Sequence, residues 1–373
     1  MKLTIKVKLL PTPEQHQILK GTMGAFNEAC NYISNRCFES KTFNQIKLHH
    51  LVYYETRAKY PQLSSQFIVR AIAKVSDSYV AEKKRLHKFK KYSVVVYDQR
   101  LLSFRHLQIV SINSINGRLK IPIVIGKYTS LEGKSIKGQA NIIFENNKFF
   151  LNVVVEVPDG IPFTPKGTLG IDKGIVNIAV TSDGDVFSGK QIDTVRERTT
   201  KTKRALQKKG TKSAKRHLKK IGKKESRFRK DVNHCISKKI VAKAKDTCRS
   251  IVLEDLSGIR DRQTVRRADR QRFGSWAFYQ LDSFIEYKAK LAGVPVIYID
   301  PRNTSRTCSV CGFVSKSNRK SQSLFSCKSC GFTSNADLNA STNIALKATI
   351  NLPIAVHPAL AISHAPGTAS HLL

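Results

Sequence analysis

Acidic residues and long apolar segments are both scarce in this chain of 373 residues. Only 27 residues are Asp or Glu, against 65 Lys or Arg, so the formal net charge is +38. A charge of this size indicates the kind of partner rather than the fold, and the usual partner is nucleic acid. The alternative, a ribosomal or merely adhesive basic protein, stays open until residues with a chemical role are found.

The lack of long apolar runs bears on location. No run approaches the roughly 20 residues that a membrane span needs. The first nine residues alternate polar and apolar side chains and contain no apolar segment of the kind found in signal peptides. We therefore predict a cytoplasmic protein with no membrane partner.

The chain is 41% hydrophobic, so it is not a disordered polycation, and its length allows two or three domains. Residues 1–9 have the alternation of a half-buried strand. Thr12 and Pro13 then mark the start of a helical tract that extends to about residue 90. Residues 93–157 form short β-rich runs with turn signals between them. This order predicts a small antiparallel barrel or sandwich that contains the first strand and into which the helical tract is inserted.

Beyond a linker at residues 158–167, predicted strands and helices alternate, which is typical of an α/β core. The main strands are 168–180, 250–254 and 294–299, and a long helix covers 276–291. Residues 196–230 are predicted to be one polybasic helical stretch. The tail from residue 351 onward has no core pattern and is predicted to be disordered.

Four cysteines, Cys308, Cys311, Cys327 and Cys330, form two CxxC pairs with spacing typical of a tetrahedral zinc site. Four thiolates leave no open position on the ion, so we predict a structural Zn²⁺; disulfides are the less favoured alternative. A glycine follows the second cysteine of each pair and permits a turn with positive φ. The remaining cysteines are predicted to be small buried hydrophobic residues. They are Cys30, Cys37, Cys235 and Cys248.

Three carboxylates stand in apolar or small-residue surroundings. Asp172 interrupts an apolar strand, Glu254 ends a second one, and Asp337 opens the last helix. Because an unpaired buried charge is costly, each carboxylate needs a cation. A shared pair of Mg²⁺ ions, as in phosphodiester hydrolysis, satisfies all three, whereas salt bridges to the many arginines are the alternative for each one alone. Asp255 is a lesser candidate, since strand alternation directs it to the other face.

Four segments together resemble the TnpB (OrfB) proteins, transposon-encoded relatives of the compact type V CRISPR effectors. The segments are Gly-Ile-Asp-Lys-Gly at 170–174, Val-Leu-Glu-Asp-Leu at 252–256, Asn-Thr-Ser-Arg-Thr-Cys at 303–308 with the zinc pairs, and Asn-Ala-Asp-Leu-Asn-Ala at 335–340. The resemblance extends over residues 1–347 in matching order.

The resemblance implies a multidomain fold of mixed α/β and α+β class. Residues 1–11 and 93–165 would form a wedge-like β-barrel, and residues 12–92 a helical recognition insert. A RuvC/RNase H-like nuclease domain would comprise residues 166–303 and 333–350, with a zinc ribbon at 304–332 and a disordered tail at 351–373.

The resemblance also implies a function. Asp172, Glu254 and Asp337 would be the catalytic residues and the ligands of two Mg²⁺ ions. A guide RNA from the transposon end would direct cleavage of double-stranded target DNA next to a short adjacent motif, in a prokaryotic cell and on its nucleoid. The alternatives are a transposase-type DNA-binding protein that acts in recombination and an RNA-guided repressor that does not cleave.

The basic segments are assigned to the partners. We expect the helical stretch 196–230 and the loop 260–272 to bind RNA or DNA backbone, since such contacts come from Lys and Arg; a solvated charged face is the alternative. Arg306 is a candidate clamp for the scissile phosphate. His234 is expected to be a capped or core histidine rather than a member of the site.

Overall fold

The fold was analysed in a computed structural model that describes residues 1–105, 108–126, 135–256, 278–321 and 323–350. The chain divides into two compact units, Met1–Pro158 and Asp159–Leu373. The predictions for the loop 260–272 and for the tail 351–373 lie outside the described residues. No helix among the residues described is long and apolar enough to cross a membrane.

The first unit contains a seven-stranded sheet in which every pair of neighbours is antiparallel. The strand order is β2-β6-β7-β1-β5-β4-β3, so the first strand belongs to this sheet, as predicted, and lies in its middle. Its strands are β1 (Lys2–Leu9), β2 (Val95–Tyr97), β3 (Leu102–Arg105), β4 (Ile109–Ser114), β5 (Gly117–Val124), β6 (Ser135–Glu145) and β7 (Lys148–Glu156).

Three helices of this unit lie between β1 and β2 in the chain: α1 (Pro13–Glu39), α2 (Gln45–Lys59) and α3 (Ser65–Ala81). Helix α1 starts at Pro13 with Thr12 as its N-cap, as predicted, and the cap is a capping box with Gln15. The Thr12 hydroxyl accepts a hydrogen bond from the Gln15 N–H at 3.3 Å, and Gln15 Oε1 accepts one from the Thr12 N–H at 3.1 Å. The buried side chains of these helices and of the sheet form one continuous core.

The second unit contains a five-stranded sheet of order β10-β9-β8-β11-β12. Its strands are β8 (Thr168–Asp172), β9 (Asn177–Thr181), β10 (Val186–Ser188), β11 (Ser250–Glu254) and β12 (Val296–Ile299). The pairings β8–β11 and β11–β12 are parallel, and the other two are antiparallel. Every residue of β11 is buried, as expected for a central strand covered on both faces.

The described residues of this unit also form four long helices: α4 (Lys190–Lys209), α5 (Lys212–Asp246), α6 (Phe278–Ala292) and α7 (Ala336–Ile350). Apolar residues of α5 and α6 share a core cluster with one face of the sheet, including Ile171 and Leu253. Ile344 and Ala348 of α7 share another cluster with Val252. The central strands therefore lie between α7 on one side and α5 with α6 on the other.

The prediction of one polybasic helix over 196–230 is wrong in one respect, because the stretch is broken into α4 and α5 at Gly210. Gly210 has φ +64° and donates its backbone N–H to Leu206, which ends α4. Thr211 then caps α5 by accepting a hydrogen bond from the Ala214 N–H. The two basic helices are consequently an antiparallel pair, joined by the Lys203–Glu225 ion pair.

The prediction for the scattered cysteines is partly wrong. Cys30 and Cys37 are buried, and burial raises the pKa of the Cys30 thiol to about 12 and of the Cys37 thiol to about 11. Cys248 is only half-buried and Cys235 is exposed. Cys235 lies on the basic helix α5.

Candidate active site and metal cluster

Two parallel strands end in acids at the same edge of the sheet. Ile171 of β8 is paired with Leu253 of β11, so the next residues along the two strands, Asp172 and Glu254, are also neighbours. Ile171 and Leu253 belong to the core shared with α5 and α6. Because side chains alternate along a strand, Asp172 and Glu254 lie on the opposite face, which α7 covers.

Helix α7 carries the third acid to this edge. It packs so closely on β8 that a Cβ atom placed on Gly170 would lie 2.1 Å from the Ser341 carbonyl oxygen. Asp337 is in the first turn of α7 and is only 4% exposed. Asn335 caps the helix, since its Oδ1 accepts the N–H groups of Asp337 at 2.9 Å and Leu338 at 3.2 Å. The three acids predicted from the sequence therefore converge from two strands and a helix.

The electrostatics of these acids reflect their convergence. Burial, together with the negative charges of Glu254 and Asp337, raises the pKa of Asp172 to about 7. Burial also raises the pKa of Glu254, and its hydrogen bond from Thr304 opposes this effect. A buried carboxylate whose pKa is raised by two neighbouring carboxylates marks a site with excess negative charge, which a cation would relieve.

Two of the acids, Glu254 and Asp337, each accept a hydrogen bond from a polar residue that the sequence did not predict to belong to the site. Thr304 Oγ1 donates a hydrogen bond to Glu254 Oε1 at 2.6 Å. Asn177 Nδ2 donates to Asp337 Oδ2 at 2.9 Å. Thr304 lies within the segment 303–308 that carries the family resemblance, but the sequence predicted no role for it. Asn177 is one polar residue at a strand end, and nothing in the sequence marked it.

A basic side chain also reaches the site from the zinc ribbon. Arg319 donates from Nη2 to Asp337 Oδ1 at 3.3 Å, and the Arg319 side chain is 26% exposed. In a chain with so many Lys and Arg residues, no sequence signal distinguished this one. The candidate clamp Arg306 is exposed, and its role as a phosphate clamp stays a prediction.

Lys173 supports the site from the other face of the sheet. Its side chain is fully buried, and Nζ lies 2.8 Å from both carboxylate oxygens of Asp282 on α6. The same Nζ donates to the backbone carbonyl of Glu254 at 3.2 Å. Lys173 thus holds together the ends of β8 and β11 that carry Asp172 and Glu254.

His234 is separate from these acids in its contacts, as expected for a core histidine. Its ring stacks on Phe284 with centroids 3.9 Å apart, and the Tyr287 hydroxyl lies 3.4 Å from Nδ1. Burial lowers the pKa of His234, an effect reinforced by the charge of Lys288. His234 therefore joins α5 to α6.

The four clustered cysteines form a zinc-binding site. The Sγ atoms of Cys308 and Cys330 are 3.7 Å apart, and those of Cys311 and Cys327 are 3.6 Å apart. Zinc–sulfur bonds of about 2.3 Å place the sulfurs of a tetrahedral site about 3.8 Å apart, so the arrangement fits Zn²⁺. The N–H groups of Cys330 and Ser329 donate to the Cys327 sulfur and lower the pKa of that thiol.

The glycine that follows each CxxC pair behaves as predicted. Gly312 has φ +74° and Gly331 has φ +75°. Each turn directs a cysteine N–H back to a carbonyl, that of Cys308 to Phe313 and that of Cys327 to Phe332. The sequence Cys-x-x-Cys-Gly-Phe occurs at 308–313 and again at 327–332, and both copies form the same turn.

The cysteine cluster and the three carboxylates differ in how close their side-chain ligand atoms lie to one another. Among the residues that the structure describes, the four cysteines are the group of three or more metal-ligating side chains whose ligand atoms all lie within 4.8 Å. The carboxylates of Asp172, Glu254 and Asp337 are set more widely. Oxygen ligands from several carboxylates are the donor set that Mg²⁺ prefers, and the raised pKa of Asp172 shows that their charge is unbalanced.

Two segments of the chain match known protein families. Residues 152–258 match the family described as a probable transposase (OrfB_IS605), and residues 278–344 match the Cas12f1-like TNB domain. The chain is 30% identical over 222 residues to the TnpB-like protein MJ0751 of Methanocaldococcus jannaschii, covering 54% of this chain and 79% of that protein.

Two nuclease relatives match over different lengths. The CRISPR-associated endodeoxyribonuclease Cas12f1 of Sulfoacidibacillus thermotolerans is 43% identical over 120 residues, which are 32% of this chain and 27% of that protein. The putative RNA-guided DNA endonuclease InsQ of Escherichia coli is 24% identical over 269 residues, 65% of each chain. This chain thus matches only about a quarter of the length of the first of these relatives.

The fold is also that of solved effector structures. The cryo-EM structure of a Cas12f1-sgRNA-target DNA complex superimposes with a TM-score of 0.62 and 16% identity, over 88% of this chain and 81% of that one. The mini-RNA-guided endonuclease CRISPR-Cas_phi3 superimposes with a TM-score of 0.52 and 12% identity, over 95% and 93% of the two chains. At such low identity these likenesses establish the fold.

Proposed function

Since the chain belongs to the family of TnpB-like proteins, we propose that it is an RNA-guided, Mg²⁺-dependent DNA endonuclease. The observation that carries the proposal is the convergence of three acids from β8, β11 and α7, two of them almost fully buried. Relatives named as a CRISPR-associated endodeoxyribonuclease and as a putative RNA-guided DNA endonuclease support the same reaction.

The residues of this chain would act as follows. Asp172, Glu254 and Asp337 would bind two Mg²⁺ ions, which when bound activate a water molecule and stabilise the leaving oxygen in phosphodiester hydrolysis. Thr304 and Asn177 orient two of the carboxylates. The Arg319 guanidinium is close enough to Asp337 to contact a phosphate that approaches the site.

We assign the second unit to a RuvC/RNase H-like nuclease domain with the zinc ribbon inserted at 304–332. Its mixed sheet, with acids at the carboxyl ends of neighbouring parallel strands, supports this assignment. For the first unit, the antiparallel sheet with helices inserted after β1 supports the wedge-like barrel of residues 1–11 and 93–165 and the recognition insert of residues 12–92.

The partners proposed are a guide RNA from the transposon end and double-stranded target DNA. Exposed lysines recur at helical spacing on α5, at positions that share one face. They are Lys212, Lys215, Lys219 and Lys223. Such a stripe suits the regularly spaced phosphates of a nucleic-acid backbone.

The test is cleavage by the purified protein with its transposon-end RNA, on a plasmid library with randomised flanking sequence. We expect cleavage in Mg²⁺, and a loss of at least about 100-fold in Asp172→Asn, Glu254→Gln and Asp337→Asn, because each removes a metal ligand. Asp246→Asn changes an exposed acid of the same unit and serves as the matched control.

The alternatives predict different results. A transposase-type DNA-binding protein would need no RNA, so binding and strand transfer without RNA would overturn the guided function. A repressor would bind the guided target with the same affinity in wild type and in Asp172→Asn, and neither would cut it.

A further inference from the structure

Helix α7 is connected to the zinc ribbon by two buried asparagines that the proposed function has not used. Asn339 is 1% exposed and Asn343 is 5% exposed, and they lie one helical turn apart on the same face. A buried amide without a hydrogen-bond partner lowers the stability of the fold. The partners of these two amides therefore indicate which part of the chain they hold in place.

Both amides hold the segment that leads into the ribbon. Asn343 Nδ2 donates to the carbonyls of Thr304 at 2.9 Å and Thr307 at 2.7 Å. Asn339 Nδ2 donates to the Thr307 carbonyl at 2.9 Å, and its Oδ1 accepts the Ser309 N–H at 3.0 Å. Side-chain hydrogen bonds from Asn339 and Asn343 to the backbone of residues 304–309 thus hold this segment against α7.

The two ends of this short segment serve two different sites. At one end the Thr304 hydroxyl donates to Glu254 Oε1 at 2.6 Å, and Thr304 is 3% exposed. At the other end Cys308, 1% exposed, belongs to the zinc-binding cluster. Helix α7 itself begins at Ala336 and carries Asp337 in its first turn.

From this arrangement we propose that Asn339 and Asn343 are positioning residues that couple zinc binding in the ribbon to divalent-metal binding by the carboxylates, through Thr304 and Glu254. The inference rests on the proposed function, and it adds that zinc acts on the active site as well as on the ribbon. Loss of zinc frees Cys308, loosens residues 304–309 and removes the Thr304 hydroxyl from Glu254. The carboxylate site then binds its metal more weakly.

The first experiment measures Mn²⁺ binding to the full chain by calorimetry, alongside its zinc content, with no cleavage step. The Thr304→Val variant should weaken Mn²⁺ binding about tenfold, the usual effect of removing a hydrogen bond to a metal ligand, and should keep its zinc. Thr304→Ser restores the hydroxyl and should restore binding. Thr342→Val is the matched control, because the Thr342 hydroxyl donates a hydrogen bond to the Leu338 carbonyl of its own helix.

The second experiment tests the coupling. Asn343→Leu, of similar size, should weaken Mn²⁺ binding and also speed zinc release to a chromogenic chelator. Adding Thr304→Val to Asn343→Leu should weaken Mn²⁺ binding little further, since both act on one connection. Thr304→Val leaves both amides unchanged, so it tests the proposal even if the Asn343 variant does not fold.

The outcomes separate this inference from the proposed function. Unchanged Mn²⁺ affinity in Thr304→Val, or fully additive effects in the double variant, would overturn the coupling and leave the nuclease site intact. If Asp172→Asn binds Mn²⁺ as well as wild type does, the carboxylates are not the metal site, and both proposals fail.

Discussion

Asp172 is the residue on which the charge balance of the site depends. Its pKa is raised from 3.8 to about 7 by burial and by its two acidic neighbours. Between these values the folded protein keeps a proton that the unfolded chain has released. The free energy of unfolding therefore falls as the pH rises from about 4 to about 7, because over this range Asp172 ionises only when the chain unfolds.

Asp172→Asn should consequently stabilise the zinc-loaded protein in buffer without Mg²⁺. The gain should be absent below pH 4 and complete above pH 7, at up to roughly 4 kcal/mol, because one pKa unit corresponds to about 1.4 kcal/mol. Chemical denaturation at several pH values measures it. Saturating Mg²⁺ should reverse the order of stability, since only the wild type has the full set of ligands; equal stability at pH 4 and pH 8 would contradict the prediction.

At the scale of elements, the site depends on how closely α7 approaches β8. Gly170 is the point of contact, where the absence of a side chain lets the helix backbone lie against the strand. The residues of α7 that face Gly170, Ser341 and Ala345, are also small. This contact sets the separation between Asp172 and Asp337.

Gly170→Ala should displace α7, because the new Cβ would lie 2.1 Å from the Ser341 oxygen and 2.6 Å from the Ala345 nitrogen. We expect a loss of roughly 1–3 kcal/mol in unfolding free energy together with weaker Mn²⁺ binding. Gly222→Ala is the control, since Gly222 lies in α5 with nothing within 4 Å of a new Cβ. That change should stabilise the protein by about 0.5–1 kcal/mol. Equal effects of the two substitutions would show that the contact is not tight.

The elements differ in how far the sequence predicts them. The start of α1 at Thr12 and Pro13, the two glycine turns of the zinc cluster and the membership of β1 in its sheet follow from local sequence patterns, so the sequence predicts them. The sequence did not predict the break at Gly210, because this single helix-ending glycine stands within a continuous Lys- and Arg-rich stretch. Asn177 and Arg319 were missed because their roles depend on pairings across the fold, with Asp337, that no local pattern records.

At the scale of the whole molecule, the net charge of +38 favours a partner that carries many negative charges, as nucleic acid does. A protein that binds phosphates with Lys and Arg releases counterions, so its affinity falls steeply with salt concentration. The stripe on α5 is where we expect a large share of this effect.

Replacing the four stripe lysines of α5 with Gln should lower the slope of log affinity against log salt by about 3–4 for a transcript of the transposon end. Filter binding between low and physiological salt measures the slope. A control with four Gln in the first unit has the same net charge and should change the slope less; its positions are Lys2, Lys41, Lys47 and Lys148. Identical slopes in the two variants would mean that α5 has no special part in binding.

The position of α7 in the chain has a consequence during synthesis. Asp172 and Glu254 leave the ribosome well before Ala336, where α7 begins. Until then the face of β8 around Gly170 is uncovered, and the two acids have neither their third partner nor the asparagines that fix Thr304. Under the proposed function, a nascent or truncated chain would therefore expose its basic helices to RNA before its carboxylate site is complete, so that RNA binding would precede cleavage.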